Sequence, residues 1–272
     1  MNNHQKTPFA RRLSPIILIL SIGLSIAGFF FPVYRDNLLI TSVWQGNDLV
    51  TLFVACPLML YALVNLNKAL LKVQVLWLGV TWYFVYNYFF YLYGAAFNVL
   101  LIFYILIVIL SLLSFIFGLV DLVISIKSDL YLSLSKRTLI VSRSFLIIFS
   151  TLMGLAWVAL SISYWFTQTV PLAITQSGHP TGVIFATDLI FLVTPLIIAA
   201  YFLHRKHRLG ILLTPIIMVK CVLYPLVFVA SGIIAYLNTQ IYDVLTPVYL
   251  LLGLASLWVL LRFTKELSAI HD

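Results

Sequence analysis

Charged residues are what this chain has least of. They make up 9% of its 272 residues, against about 25% in an ordinary soluble domain. Only 8 are acidic, and Glu266 is the single glutamate. A soluble monomer of this length needs a mostly polar shell around its core, so a soluble enzyme is excluded. Cysteine is nearly absent too: Cys56 and Cys221 are the only two, and both fall inside apolar runs. That excludes the disulfide framework of a small secreted module and a cysteine-rich zinc site. The histidines are scattered, with His4 and His271 in the tails, His179 beside Pro180, and His204 and His207 flanking a basic turn. None has Asp or Glu at ligand spacing. There is no phosphate-binding glycine loop, no dinucleotide fingerprint, no nucleophile elbow, and no serine with an evident base beside it. Neither a metal nor a cofactor is expected, and a non-enzymatic role is favoured.

What the chain has is apolar length. Hydrophobic residues are 63% and the mean hydropathy is +1.10, which also excludes a disordered chain. A hydrocarbon layer about 30 Å thick calls for about 20 apolar residues per helix. Eight runs qualify, at 14–33, 49–66, 73–96, 98–124, 142–167, 182–204, 209–236 and 243–262. They are continuously apolar, without two-residue alternation, so they read as helices rather than barrel strands. The expected fold class is all-α transmembrane, an eight-helix bundle forming one integral membrane domain over 1–272. The first run follows Arg11 and Arg12 like a signal peptide, but it continues through Phe29–Phe31 and is read as a retained helix.

The net charge of +8 could suggest nucleic acid, but the basic residues lie in short clusters between apolar runs, not on one face of a domain. With eight spans, all lysines and arginines except Arg35 and Lys220 fall on the side of the termini. The positive-inside rule then makes both termini cytoplasmic in the cell membrane, with loops 34–48, 168–181 and 237–243 outside. The expected surroundings are a lipid bilayer, with a second membrane protein or a second copy as a partner, and no nucleic acid.

The two halves of the chain, 14–124 and 142–262, resemble each other. Phe97–Leu112 aligns without gaps on Tyr242–Leu257, pairing Asn98 with Asp243 and Tyr104 with Tyr249. Upstream, Tyr86, Phe90 and Gly94 match Tyr224, Phe228 and Gly232 at one constant offset. Asp48 before Pro57 resembles Asp188 before Pro195, with a two-residue gap. An even number of helices per unit predicts two four-helix repeats of the same orientation.

Two ionisable residues stand out within the apolar runs. Asp188 lies near the outer end of the sixth run and Lys220 near the middle of the seventh. A charge at the bilayer centre costs at least about 2.5–3.5 kcal/mol, so a lysine there turns inward and seeks a partner. Asp188 is the expected one, and the Cys221 carbonyl, which Pro225 leaves without its helical bond, is another. The pair reads either as a polar ligand site or as a structural bridge between two helices. The third run is aromatic, with Trp82, Tyr86 and Asn87 at depth and Tyr88, Tyr91 and Tyr93 placed as an interfacial belt. Trp82 is the repeat counterpart of Lys220, which suggests a cation–π contact between the units. The candidate ligand-binding set is Asp188, Lys220, Trp82, Tyr86, Asn87 and Tyr224.

The stretch Tyr86–Asn98, the Asp188-Leu189 pair with Pro195, and the basic turn followed by Val219-Lys220 together resemble a family of uncharacterised multi-pass, eight-helix membrane proteins of bacteria and archaea. That resemblance implies a fold and a membrane location and carries no activity. The chain does not resemble rhodopsins, and it lacks the histidines of zinc-dependent intramembrane hydrolases. The expected function is to bind or translocate a small polar or amphipathic solute between the two repeats. An intramembrane lipid-modifying enzyme and a non-catalytic anchor subunit are the alternatives.

Overall fold

The computed structural model describes residues 8–68, 70–126 and 134–268; Lys6, Lys127, His4 and His271 lie outside them. Among the described residues every regular element is helical. The first half opens with α1 (Pro8–Phe30). A long interrupted helix follows, made of α2 (Leu38–Val50), a π-helical turn (Thr51–Ala55), α3 (Cys56–Asn65) and a 3-10 turn (Leu66–Lys68). α4 (Leu71–Gly94) and α5 (Leu101–Ser125) complete that half. The second half comprises α6 (Lys136–Thr167), the short α7 (Leu172–Ser177), α8 (Val183–Asp188), a second π-helical turn (Leu189–Val193), α9 (Thr194–His204), α10 (Arg208–Thr239) and α11 (Thr246–Ser268).

Seven of these helical stretches are long and apolar enough to cross a membrane, which makes the chain a multi-pass membrane protein. α4 falls short of that apolarity because tryptophan, tyrosine and asparagine fill it. It nevertheless runs the length of the bundle. Near its start Trp77 donates to Ser14 Oγ of α1 at 2.8 Å, and just past its end the Ala96 amide donates to Asp36 at 3.1 Å. Apart from Arg35 and the buried Lys220, the described basic residues gather at one end of the bundle. Arg208 there reaches the Ile126 carbonyl at 3.5 Å, and Arg143 meets His204 at 2.9 Å.

The expected outer loop 34–48 is corrected. Helix begins at Leu38, where Asn37 caps it by accepting from the Ile40 amide at 2.9 Å. The segment looked like a loop because it is polar, but Ser42, Asn47 and Asp48 are buried inside the bundle. The expected loop 168–181 likewise contains α7. Pro57 and Pro195 produce the same local break, once in each half. Each proline stands two residues after a π-helical turn, closed by Cys56 N–H to Thr51 O in one half and by Thr194 N–H to Leu189 O in the other. Proline cannot donate to the carbonyl four residues back, and a wider turn absorbs the clash.

α10 is the hub. It packs on α2 and α4 of the first half and on α9 and α11 of its own. Two glycines let the halves approach: a Cβ on Gly46 would run into the backbone of Ser231, and one on Gly79 would meet Val219 at 2.6 Å. In the first half α1 packs on α2 and α5, and α4 on α3 and α5; in the second, α6 packs on α9 and α11, and α10 on α9 and α11. α6 and α11 are joined at the basic end, where Glu266 accepts from Ser135 N at 2.8 Å and from Thr138 Oγ1 at 2.5 Å. Toward the other end α6 stands exposed, from Leu155 through Phe166 apart from half-buried Trp157.

Candidate functional site

Asp188 closes α8, one residue ahead of the second π-helical turn, and is completely buried. Three helices send it donors. Tyr86 of α4 and Tyr224 of α10 each donate a hydroxyl at 2.5 Å, and Trp157 of α6 donates its indole N–H at 2.9 Å. A carboxylate holding three donors, two of them short, is well satisfied in a dry site. Phe185 stacks on Trp157 at 4.5 Å and fixes its ring.

Lys220 is 1% exposed. Its Nζ lies 3.4 Å from the centre of the Tyr86 ring, 4.5 Å from that of Tyr224 and 5.5 Å from that of Tyr83. Lys220 and Tyr224 are one helical turn apart on α10, and Tyr83 and Tyr86 one turn apart on α4, so each pair shares a face. A desolvated ammonium over aromatic faces gains about 2 kcal/mol. The same two tyrosines therefore serve both charges, with ring faces to Lys220 and hydroxyls to Asp188.

The expected direct ion pair is thus corrected. Lysine and carboxylate are bridged by phenols, because Tyr86 and Tyr224 occupy the space between them and take up the carboxylate oxygens. The Cys221 carbonyl is not the ammonium's partner either, since Lys220 makes no hydrogen bond or ion pair among the described residues. Trp82 does not face Lys220. It donates to the Phe191 carbonyl of the π-helical turn at 3.1 Å and packs on Phe115 at 4.7 Å. Asn87 belongs elsewhere as well, donating to Thr51 Oγ1 at 3.2 Å beside the Thr51–Tyr83 contact at 2.8 Å. Of the six expected residues, Asp188, Lys220, Tyr86 and Tyr224 come together.

A second buried carboxylate sits in the first half. Asp48 accepts from Tyr34 at 2.6 Å and from Tyr91 at 2.9 Å. Tyr91 stacks with Tyr88 and Tyr34, and packs on Trp44 and Tyr104. The expected aromatic belt is corrected accordingly: Tyr88 and Tyr91 are buried in this cluster, and only Tyr93, 62% exposed, stands at the surface.

A cavity of about 110 Å³ lies where the halves meet. It is lined by α2, α4, α8 and α10, from Lys220 at depth to His179 in the turn between α7 and α8. Trp44, Phe90, Val227 and Phe228 form apolar walls, and Asn47 adds an amide. Burial holds the His179 imidazole below its ordinary value, while Asp36 pulls the other way. Sequence reasoning missed Asn47, Trp157 and His179. Asn47 carried a signal, a polar residue beside the marker Asp48; Trp157 and His179 carried none, because both reach the site only through tertiary packing. Among the described residues no three His, Cys, Asp or Glu side chains stand together as metal ligands. No protein-family model, curated protein or solved structure matches the chain.

Proposed function

We propose that the chain is an eight-span protein of the cell membrane, with both termini cytoplasmic and two same-orientation four-helix units, that binds or moves a small polar or amphipathic solute between those units. The observation that carries the reading is the cavity ending on a buried lysine without a hydrogen-bonding partner. Neither a structural bridge nor simple core packing calls for open space beside a buried ammonium. Its location at the seam between two repeated units is where transporter folds hold their substrates.

Several local matches support the duplication. Asn98 Oδ1 accepts from Leu100 N at 2.9 Å, and its aligned partner Asp243 Oδ1 accepts from Leu245 N at 2.9 Å. The next backbone bonds also correspond, Leu101 N to Asn98 O and Thr246 N to Asp243 O. The π-helical turns keep one spacing to their prolines, and the helix pairings repeat. End-to-end α4 supports the eighth crossing, and the basic end of the bundle supports the orientation.

The test is thiol labelling in cells, in a Cys56→Ala, Cys221→Ala background. An impermeant reagent applied from outside is expected to modify Gln176→Cys, to spare Lys206→Cys, and to reach Val227→Cys through the cavity. A labelled Lys206→Cys overturns the orientation. An unreactive Val227→Cys, with Gln176→Cys labelled, overturns the solute site.

A further inference from the structure

The cavity between the halves contains two buried polar side chains without a hydrogen-bond partner among the described residues. Lys220 is 1% and Asn47 3% exposed, both line the cavity, and neither side chain has a hydrogen-bond or ion-pair partner among the described residues. An ammonium offers three donors, and an amide offers two donors and an acceptor. Buried groups of this kind are normally satisfied, and leaving them unpaired is costly. Asp188 acts on Lys220 only through space: its oxygens are held by Tyr86, Tyr224 and Trp157, so the ammonium's hydrogen-bond donors stay free.

The character of the occupant follows from what is missing. The pocket supplies the donors of Lys220 and Asn47, an imidazole at its mouth and otherwise apolar wall, so its complement is an acceptor head on an apolar body. A cation would meet Lys220 head-on. A zwitterion would need an anion for its ammonium group, and the lining offers only neutral acceptors, the Asn47 amide oxygen and the His179 imidazole at the mouth. Phosphate or sulfate would need donors on every side, and the walls formed by Trp44, Phe90 and Phe228 offer none beyond the Trp44 indole, which already donates to Asp36 at 3.0 Å. The volume, about 110 Å³, corresponds to about four waters at about 30 Å³ each, or to a short chain of similar bulk.

We propose that this cavity takes a small organic monoanion, a short-chain carboxylate, with its head between Lys220 Nζ and Asn47 Nδ2 and its chain against Trp44, Phe90 and Phe228. The proposal rests on the solute-site reading and names its ligand class. Asp188 then acts as a positioning residue: its hydrogen bonds fix Tyr86 and Tyr224, whose rings aim the ammonium into the cavity.

The test uses the full chain purified in detergent, with thermal unfolding followed at fixed ionic strength. The probes are sodium butyrate, the uncharged butyramide and the cationic butylamine. Butyrate is expected to raise the melting temperature saturably, with the other two at least about tenfold weaker, the weight of about one charge-assisted hydrogen bond. Lys220→Met abolishes the butyrate effect, Lys220→Arg keeps part of it, and Asn47→Leu weakens it about tenfold by the same reasoning. If Lys220→Met fails to fold, the arginine and Asn47 variants carry the test. Equal or tighter binding of butyramide or butylamine overturns the anion assignment and leaves a solute site in place. No response to any probe, with Val227→Cys accessible, also overturns the anion and leaves the site. No response with Val227→Cys unreactive overturns both.

Discussion

Asp48 and Asp188 occupy corresponding places, each just ahead of a π-helical turn and a proline, yet only Asp188 has a cation for a neighbour. Asp48 is closed in. Tyr34 and Tyr91 hold its oxygens, and Gly28 of α1 lies so close that a Cβ there would collide with both Asp48 and Tyr34. The flanking helices of that half are well covered, with α1 39% and α5 33% buried over their most apolar windows. Asp188 uses the same device, tyrosine hydroxyls on a carboxylate, but its flanking helices α6 and α11 are only 17% buried over theirs. The position aligned with Trp82 is Lys220, and a cavity lies beside it. A carboxylate satisfied by phenols can be an element of architecture. Adding an unpaired ammonium and empty space turns the same element into a candidate site.

The largest expected effect tests that contrast directly. Asp188→Ala strands a buried ammonium and removes the acceptor of three donors, so a loss of about 3–5 kcal/mol is expected. Asp48→Ala strands the Tyr34 hydroxyl and leaves Tyr91 its Trp44 carbonyl acceptor, so it is expected to cost less, about 1–3 kcal/mol. Melting in detergent ranks the two, and an equal or reversed order removes the distinction between the halves. In the cycle of Asp188→Asn with Lys220→Met, a coupling of about 0.5–3 kcal/mol is expected through the shared tyrosines. Additive losses mean that the bridge carries no energy.

Removing one hydroxyl sharpens the comparison. Tyr224→Phe takes away one of three donors to Asp188, and Tyr91→Phe one of two to Asp48. Each is expected to cost about 1.5–3 kcal/mol, as for hydrogen bonds to charged groups. The butyrate response should fall in Tyr224→Phe and stay unchanged in Tyr91→Phe. A response lost in both variants places the two carboxylates in one network.

The seam between the halves gives a smaller contrast. Gly46→Ala drives a methyl into Ser231 and is expected to destabilise by about 1–3 kcal/mol. A methyl on Gly23 of α1 would have nothing within 4 Å of it, and Gly23→Ala is expected to be neutral or to gain up to about 1 kcal/mol from helix propensity. Equal melting temperatures for the two variants would mean that α2 and α10 are not closely apposed at Gly46.

Much of this contrast was legible in the sequence, and where legibility ended is instructive. Apolar length revealed the membrane helices, and the order of Asp, Pro, Tyr and Gly markers pointed to Asp48 and Asp188, the two carboxylates that the fold buries. Lys220 and Asp188 stood out because charge in an apolar run needs a reason. What the sequence could not carry was direction. It placed Lys220 near Asp188 but not the tyrosines between them, since side-chain rotation on two facing helices decides which groups meet. It read 34–48 as loop because polarity ordinarily means water, whereas here Ser42 accepts from Asn238, Asp48 from Tyr34 and Tyr91, and Asn47 lines the cavity, all inside the bundle. It assigned Tyr88 and Tyr91 to a belt by depth alone, although depth does not say which side of a helix faces lipid.

The smallest expected effect concerns the mouth of the cavity, where the two halves differ in a titratable group: His179 lines the second-half side, and the Asp48 cluster contains no histidine. Burial holds the His179 imidazole below its ordinary value of 6.5, and Asp36 opposes this without overcoming it. A depressed value means that the folded chain binds the proton less readily than the unfolded chain. Well above 6.5 both states are neutral at this position, and the neutral imidazole's contribution to stability is fully present. As pH falls through that value the unfolded chain takes up the proton first, so stability declines until the lower folded value is passed. Melting temperature should therefore drop on acidification from about pH 7.5 to about pH 5.5, the range in which an ordinary histidine titrates, and His179→Gln should flatten part of that drop. The change is small because the ring is only half-buried and water screens it. A His179→Gln variant with the full acid sensitivity of the parent would move the titrating group elsewhere and leave the mouth of the cavity without a role in the pH response.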